Sequence, residues 1–191
     1  YDMKDFIVMT FTPYQGKVFD QKNLILVQDL KSKLLSVDNI ESVISIVDIT
    51  LVLSTDIPLI EMINDIPTIL SNNTDIIKAE EEILNSPIYK DLIISQDGKT
   101  TALQINIKAN KKLIELTNIK SDLKEKIDIG LPSLDLLDKA NKAYLIEKSN
   151  HNEVMHDLLS NVRYIQSTFQ KKHRVDLKIG GIPMIADDMI M

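Results

Sequence analysis

The sequence predicts an α+β domain of split β-α-β or ferredoxin-like type, with a mixed or antiparallel sheet and helices packed on one face. Three observations predict it. The chain opens with an apolar β-branched stretch, an amphipathic stretch of helical period and a second apolar stretch. A run of period two stands in mid-chain behind an Asp-Gly turn. A long helical pattern then leads into a last short strand closed by Gly180-Gly181.

The elements follow in order. Phe6 to Phe11 reads Phe-Ile-Val-Met-Thr-Phe, a strand composition, and Pro13 and Gly16 break it. Asp20 stands as N-cap to a helix whose Leu24, Val27, Leu30 and Leu34 share one face, ending at Asp38-Asn39. Val43 to Leu53 returns to strand character through Ile44, Ile46 and Val47. Ser54 to Asp75 holds Pro58, Pro67 and the Ser71-Asn72-Asn73-Thr74 cluster, which predict loops and short helical turns. Asp75 to Leu84 predicts a short helix offering Ile76, Ile77 and Ile83 for burial.

Leu92 to Ser95 and Thr101 to Lys108 predict a β-hairpin about Asp97-Gly98. In its second strand Leu103, Ile105 and Ile107 alternate with Ala102, Gln104, Asn106 and Lys108. Asn110 to Lys126 predicts a helix, Ile127 to Ser133 a connector with Gly130 and Pro132, and Leu134 to Glu147 a further helix. Asn150 and Glu153 have capping-box spacing and predict a fresh helix start, with Val154, Leu158, Val162, Ile165 and Phe169 along one face. Val175 to Ile179 is the last strand, closed by Gly180, Gly181 and Pro183.

The 191 residues suit a single domain, 1–191, with a helical insertion over 110–149 and no internal repeat. A chain of this size buries about 70 % of its unfolded surface. A hydrophobic content of 44 % with 26 % charged residues excludes a disordered tail. The net charge of −6, with Lys and Arg scattered among the acids, leaves no dense basic run and argues against nucleic acid or anionic headgroups as electrostatic partners. The lack of cysteine excludes disulfide and thiolate chemistry. No run of about 20 apolar residues is present, which excludes a spanning helix within these limits. The first residue is Tyr1, with no signal-peptide pattern after it, and the chain is read as a processed or excised piece of a larger protein.

Four groups of residues invite a chemical reading. Gly98-Lys99-Thr100 imitates the end of a phosphate-binding loop, but the glycine required five residues before the Gly-Lys pair is Ile93, and a strand follows instead of a helix. His151 and His156 are five apart, which sets them roughly 140° apart on a helix, unlike a zinc pair at i, i+4. With His173 they are read as surface or helix-end histidines. Asp187-Asp188 follows a Gly-Pro break and is read as capping a further helix in preference to forming a carboxylate pair. Glu80-Glu81-Glu82 is read as a solvated helix face. No nucleophile motif stands out. Accordingly no catalytic, cofactor-binding or metal-binding residue is assigned, no cofactor is expected, and the substrate-binding residues are left open.

Three passages carry a resemblance. They are Phe19-Asp20 with Asn23-Leu24, Glu41-Ser42-Val43 and Ser45-Ile46; Ser86-Pro87-Ile88-Tyr89 with Leu92-Ile93-Ile94-Ser95 and Asp97-Gly98-Lys99-Thr100-Thr101-Ala102; and the run Gly180-Gly181-Ile182-Pro183-Met184-Ile185-Ala186-Asp187-Asp188-Met189-Ile190. In this order they resemble the first extracytoplasmic loop of resistance-nodulation-division superfamily exporters, in the group related to the mycobacterial large membrane proteins. The likeness thins between Asn110 and Ser149.

The resemblance implies a periplasmic, non-enzymatic, porter-like domain on the outer side of the bacterial inner membrane. The full-length protein would be a proton-driven exporter of lipid-like or amphipathic cargo, with the proton-carrying acids in membrane helices outside this chain. Its implied partners are a second extracytoplasmic domain and the transmembrane helices of the same polypeptide, with a homo-oligomer and a hydrophobic ligand as further expectations and no nucleic acid. Apolar spans of about 20 residues are expected on both sides of the chain. The alternative is a free-standing ferredoxin-like ligand-sensing or regulatory domain, and a third reading is a small hydrolase with a dispersed site.

Overall fold

The structure, a computed structural model, describes residues 5–51, 54, 67–72, 74–89, 92–129 and 134–190, with backbone alone at 186 and 188–190. Strands β1 (Phe6–Pro13), β2 (Ile40–Ile44), β3 (Thr101–Ile107) and β4 (Val175–Gly180) form one sheet in the order β2-β3-β1-β4. Every neighbouring pair is antiparallel. β1 and β2 therefore run parallel with β3 between them, and β3 and β4 run parallel with β1 between them. Two split β-α-β units interleave, the ferredoxin-like arrangement that the element order predicts.

Helix α1 (Gln21–Leu35) joins β1 to β2, and α2 (Ile76–Asn85) lies in the β2–β3 connection. Helices α3 (Lys111–Asp128) and α4 (Leu134–His173) join β3 to β4, and α5 (Ile182–Ile190) follows β4. The inward residues of the sheet, among them Ile7, Met9, Phe11, Leu103, Ile105 and Leu177, share one core with Leu24, Val27, Leu30 and Leu34 of α1 and with Leu158, Leu159, Val162 and Phe169 of α4. The other face of the sheet carries a polar ladder: Gln104 Nε2 donates to Asn106 Oδ1 (2.8 Å), whose amide donates to Ser42 Oγ (2.9 Å).

The elements depart from the expected ones where local hydrogen bonds compete with strand pairing. β1 runs on to Pro13, which pairs with Val175 at the end of the strand, where a missing N–H costs nothing. β2 begins at Ile40 and stops at Ile44, short of the expected end at Leu53. Asp48 Oδ2 accepts from Ser45 N (2.8 Å) and Ser45 Oγ (3.0 Å), turning the chain into a 3-10 turn at Ile46–Asp48 that buries Ile46 and Val47. Residues 52–53 and 55–66, read as strand end and loops, lie outside the described residues.

Asp20 occupies the N-cap position of α1, but its carboxylate accepts from Lys17 N (3.2 Å) and no amide of the helix. In α2, capped by Asp75, Ala79 and Ile83 are buried whereas Ile77, expected inside, is 73 % exposed. Of the expected hairpin, the Asp97-Gly98 turn forms, with Asp97 Oδ1 accepting from Ser95 Oγ (2.6 Å) and Lys99 N (3.1 Å). Its first arm pairs briefly about the Ile94–Thr101 bridge, with Ser95 N donating to Thr100 O (2.9 Å) and Ala102 N to Ile93 O (2.8 Å), before the chain coils back through Ile93 N to Tyr89 O (2.9 Å). β3 pairs along its length with β1 and β2.

The largest departure is α4, one unbroken helix of 40 residues. Asn150 lies in its interior and caps nothing. The sequence from Leu134 to His173 holds no glycine or proline, so the amides that Asn150 would cap are already taken by the preceding turn. The expected connector shrinks accordingly, since α3 continues to Asp128, and 130–133 lie outside the described residues.

Leu113, Leu116, Lys120, Leu123 and Ile127 of α3, spaced three and four apart, form a half-buried seam. Lys120 Nζ stands 3.6 Å from the centre of the Tyr144 ring across it. Two helices alone cannot close a core. No described residue of α3 is buried, and the buried residues of α4 begin only at Leu158. α3 and the first half of α4 thus form a two-helix arm that contributes no buried side chain to the domain.

Candidate functional site: the root of the helical arm

The start of β1 and the end of β4 lie at one end of the sheet's strands. Ile107 N, at the end of β3, donates to Asp5 O (3.0 Å) beside the start of β1. After β4, Gly181 adopts φ +141°, and a Cβ there would stand 2.9 Å from Phe6 O, so the backbones touch where only glycine fits. α5 starts at that contact, with Pro183 in its first turn, where the missing N–H would be unpaired anyway.

The arm leaves from the same end of the strands. Lys108 N donates to Asn39 O (2.9 Å), and Asn39 holds φ +67° to enter β2. Asn110 then caps α3, its Oδ1 accepting from Leu113 N (3.0 Å) while its amide donates to Glu147 Oε1 (3.0 Å). Lys112 Nζ completes the lock at 2.7 Å from Glu147 Oε2. The Lys112 and Asn110 hydrogen bonds, with the Lys112 charge, hold the Glu147 carboxyl below the ordinary carboxylate range.

Around this lock lies a groove of about 350 Å³ lined by Asn39, Ile107, Lys108, Glu147, His151 and Met155 among others. A smaller cavity of about 130 Å³ lined by Asp5, Ile182, Pro183 and Asp187 shares His151 and Met155 with it. The floor is apolar, from Ile107, Val154, Met155 and Leu158, and the rim carries carboxamides and single charges. Such a lining fits an amphipathic molecule by contact and hydrogen bonding.

Between the smaller cavity and α4 stands Asp187. Its carboxylate is 7 % exposed and accepts from Arg163 Nη1 (2.8 Å), and His156 Nδ1 lies 2.8 Å from its other oxygen. Burial works to raise its pKa, but the bonds and charges of His156 and Arg163 together outweigh it and hold the carboxyl below its ordinary value. Asp187 therefore lies inside α5 and pins that helix onto α4, correcting its assignment as a cap. The side chain of Asp188 lies outside the described residues.

The other residues weighed in the sequence fall elsewhere. Gly98-Lys99-Thr100 is a strand-entry turn, with Gly98 at φ +67° packed against Phe19. His151 lines both cavities, His156 meets Asp187, and His173 lies at the far end of α4. Glu80 and Glu82 do not form a merely solvated face, since Glu80 pairs with Lys17 (2.7 Å) and Glu82 accepts from Ser54 Oγ. Among the described residues no group of three or more His, Asp or Glu is placed to hold a metal ion, and no helix is long and apolar enough to cross a membrane.

No family model, curated protein or solved structure matches this chain. Functional assignment rests on the fold, the groove and the residue patterns.

Because the Glu147 and Asp187 pKa values are lowered on folding, their contribution to stability is present above about pH 4 and is lost as pH falls through the folded values. Asp187→Ala is expected to destabilise the fold by about 1–2 kcal/mol at neutral pH, its partners being half-exposed. Urea melts at pH 7 and at about pH 2.5 check this: the gap between wild type and variant should narrow at the lower pH as the wild-type carboxylate protonates. A gap independent of pH would contradict the assignment.

Proposed function

We propose that this chain is a periplasmic, porter-like domain of a resistance-nodulation-division exporter of the group related to the mycobacterial large membrane proteins, binding lipid-like or amphipathic cargo and moving with the membrane helices of its own polypeptide. The observation that carries the reading is the meeting of the start of β1, the end of β4 and α5 at one end of the strands, held by the Gly181–Phe6 contact. A domain whose entering and leaving segments are neighbours can be carried by two adjacent membrane helices without distortion. α5, pinned to α4 through Asp187, then acts as a lever that passes movement between the domain and whatever follows it.

Two further features support it. The Gly180-to-Ile190 run, one of the passages that carry the family resemblance, is the segment that makes this joint. The amphipathic groove at the arm root opens beside it, as a cargo contact would require. The second extracytoplasmic domain of the same polypeptide is the natural partner for the uncovered sheet face, where Phe6 and Ile44 are 46 % and 44 % exposed beside the polar ladder. Energy coupling belongs to acidic residues of membrane helices outside this chain.

Expression of the complete gene product and fractionation tests the reading. The product should stay with the membranes after alkaline carbonate washing, and its reading frame should encode apolar spans of about 20 residues on either side of this domain. A full-length product recovered in the soluble fraction would replace the proposal with the free-standing sensing domain.

A further inference from the structure

At the opposite end of the strands, where β1 ends and β4 begins, lies a third cavity of about 480 Å³. Its floor is apolar, from Pro13, Leu26 and Val175. Among the described residues its charged lining is basic, Lys22 from the first turn of α1 and Arg174 just past the end of α4, with the His173 ring beside them. Among the described residues no acidic one lines it, in a chain whose net charge is −6. Among the described residues neither Lys22 nor Arg174 has an ion-pair partner. Cations at the end of α4 complement its carbonyl groups, which accounts for Lys171 and Lys172. It does not account for Lys22, which enters the cavity from another helix.

Two details single the place out. Arg174 holds φ +54°, the left-handed turn that ends a helix and that glycine or asparagine usually occupies. A long cationic side chain is kept there against the local backbone preference, as happens at ligand sites. The His173 ring, its centre 4.4 Å from that of the Phe169 ring and tilted to it, carries the one buried side-chain atom without a hydrogen-bond partner among the described residues, its Nε2. His173 lines the cavity. The wall opposite is fixed in advance, because the buried Asn23 amide donates to Gln15 O (3.2 Å) and Lys17 O (2.7 Å) and sets the loop between β1 and α1.

We infer that this cavity binds a small organic anion, one with a phosphate or carboxylate head held by Lys22, Arg174 and His173 and an apolar body on Pro13, Leu26 and Val175. The volume lies within the range of small-molecule sites. The inference stands on this lining alone, at the end of the strands away from the arm root, and holds whether or not the domain belongs to an exporter.

NMR titration of the chain with hexyl phosphate tests it, with inorganic phosphate and hexanol as controls. Hexyl phosphate should shift the His173 ring and the Lys22 and Arg174 signals saturably. Inorganic phosphate should bind at least about tenfold more weakly, and hexanol should leave those signals in place. Arg174→Gly is the informative variant, because it relieves the left-handed backbone while removing the charge. It should melt no lower than wild type yet bind hexyl phosphate about tenfold more weakly. Sedimentation with phosphatidylglycerol against phosphatidylcholine vesicles separates sources of the anion: capture by the first alone, lost in Arg174→Gly, identifies a lipid headgroup, and capture by neither identifies a soluble anion. Hexanol binding as well as hexyl phosphate, shifts confined to other parts of the chain, or affinity unchanged in Arg174→Gly would overturn the assignment.

Discussion

Gly181→Ala is expected to lower stability by about 3 kcal/mol, while Gly180→Ala, one residue away, is expected to stay within about 0.5 kcal/mol of wild type. The two glycines look alike in the sequence. A Cβ on Gly181 would stand 2.9 Å from Phe6 O and 3.3 Å from Ile7 Cα, both backbone atoms of the central strand, and φ is +141°. Neither the clash nor the conformation can be relieved by a rotamer change. A Cβ on Gly180 meets nothing within 4 Å. For a domain of this size the loss corresponds to a fall in Tm of roughly 6–12 °C. Thermal melts of the two variants decide the matter, and equal melting points would mean that the β1–α5 contact is not as described.

Leu159→Ala is expected to have an effect of similar size, about 3 kcal/mol, because Leu159 is wholly buried where α4 meets the sheet. Leu145→Ala, on the same helix but 62 % exposed on the arm, should change stability by less than about 0.5 kcal/mol. The pair tests whether the first half of α4 belongs to the core. Comparable losses in urea melts would show that the arm carries structural weight, contrary to its lack of buried side chains.

The split β-α-β order was legible because its signals are local. The period-two run at Thr101 to Ile107 and the helical spacing of Leu24, Val27, Leu30 and Leu34 report which face is buried without knowledge of any partner. Elsewhere local signals competed. Ser45 and Asp48 end β2 by hydrogen bonds that an apolar run conceals, and Asn150 with Glu153 mimics a helix start inside a continuous helix.

The candidate sites were less legible, since their members meet only through the fold. Asn110, a residue type that caps helices, stood before a helical pattern and could have been read as the α3 cap, but nothing near Glu147 announced their pairing. Asp187 was noticed for the wrong role, because its partners are two turns apart on another helix. Scattered basic residues form no run in the sequence, yet the fold brings Lys22 and Arg174 to one cavity from opposite ends of the chain.

The placement of the domain outside the cytoplasm is the claim on which the exporter reading turns. The chain has no cysteine of its own, so one introduced at the exposed Lys139 gives an unambiguous reporter on the arm. In spheroplasts expressing the complete protein, otherwise freed of cysteine, a membrane-impermeant maleimide should label Lys139→Cys before lysis. Labelling that appears only after lysis would put the domain on the cytoplasmic side and contradict the account.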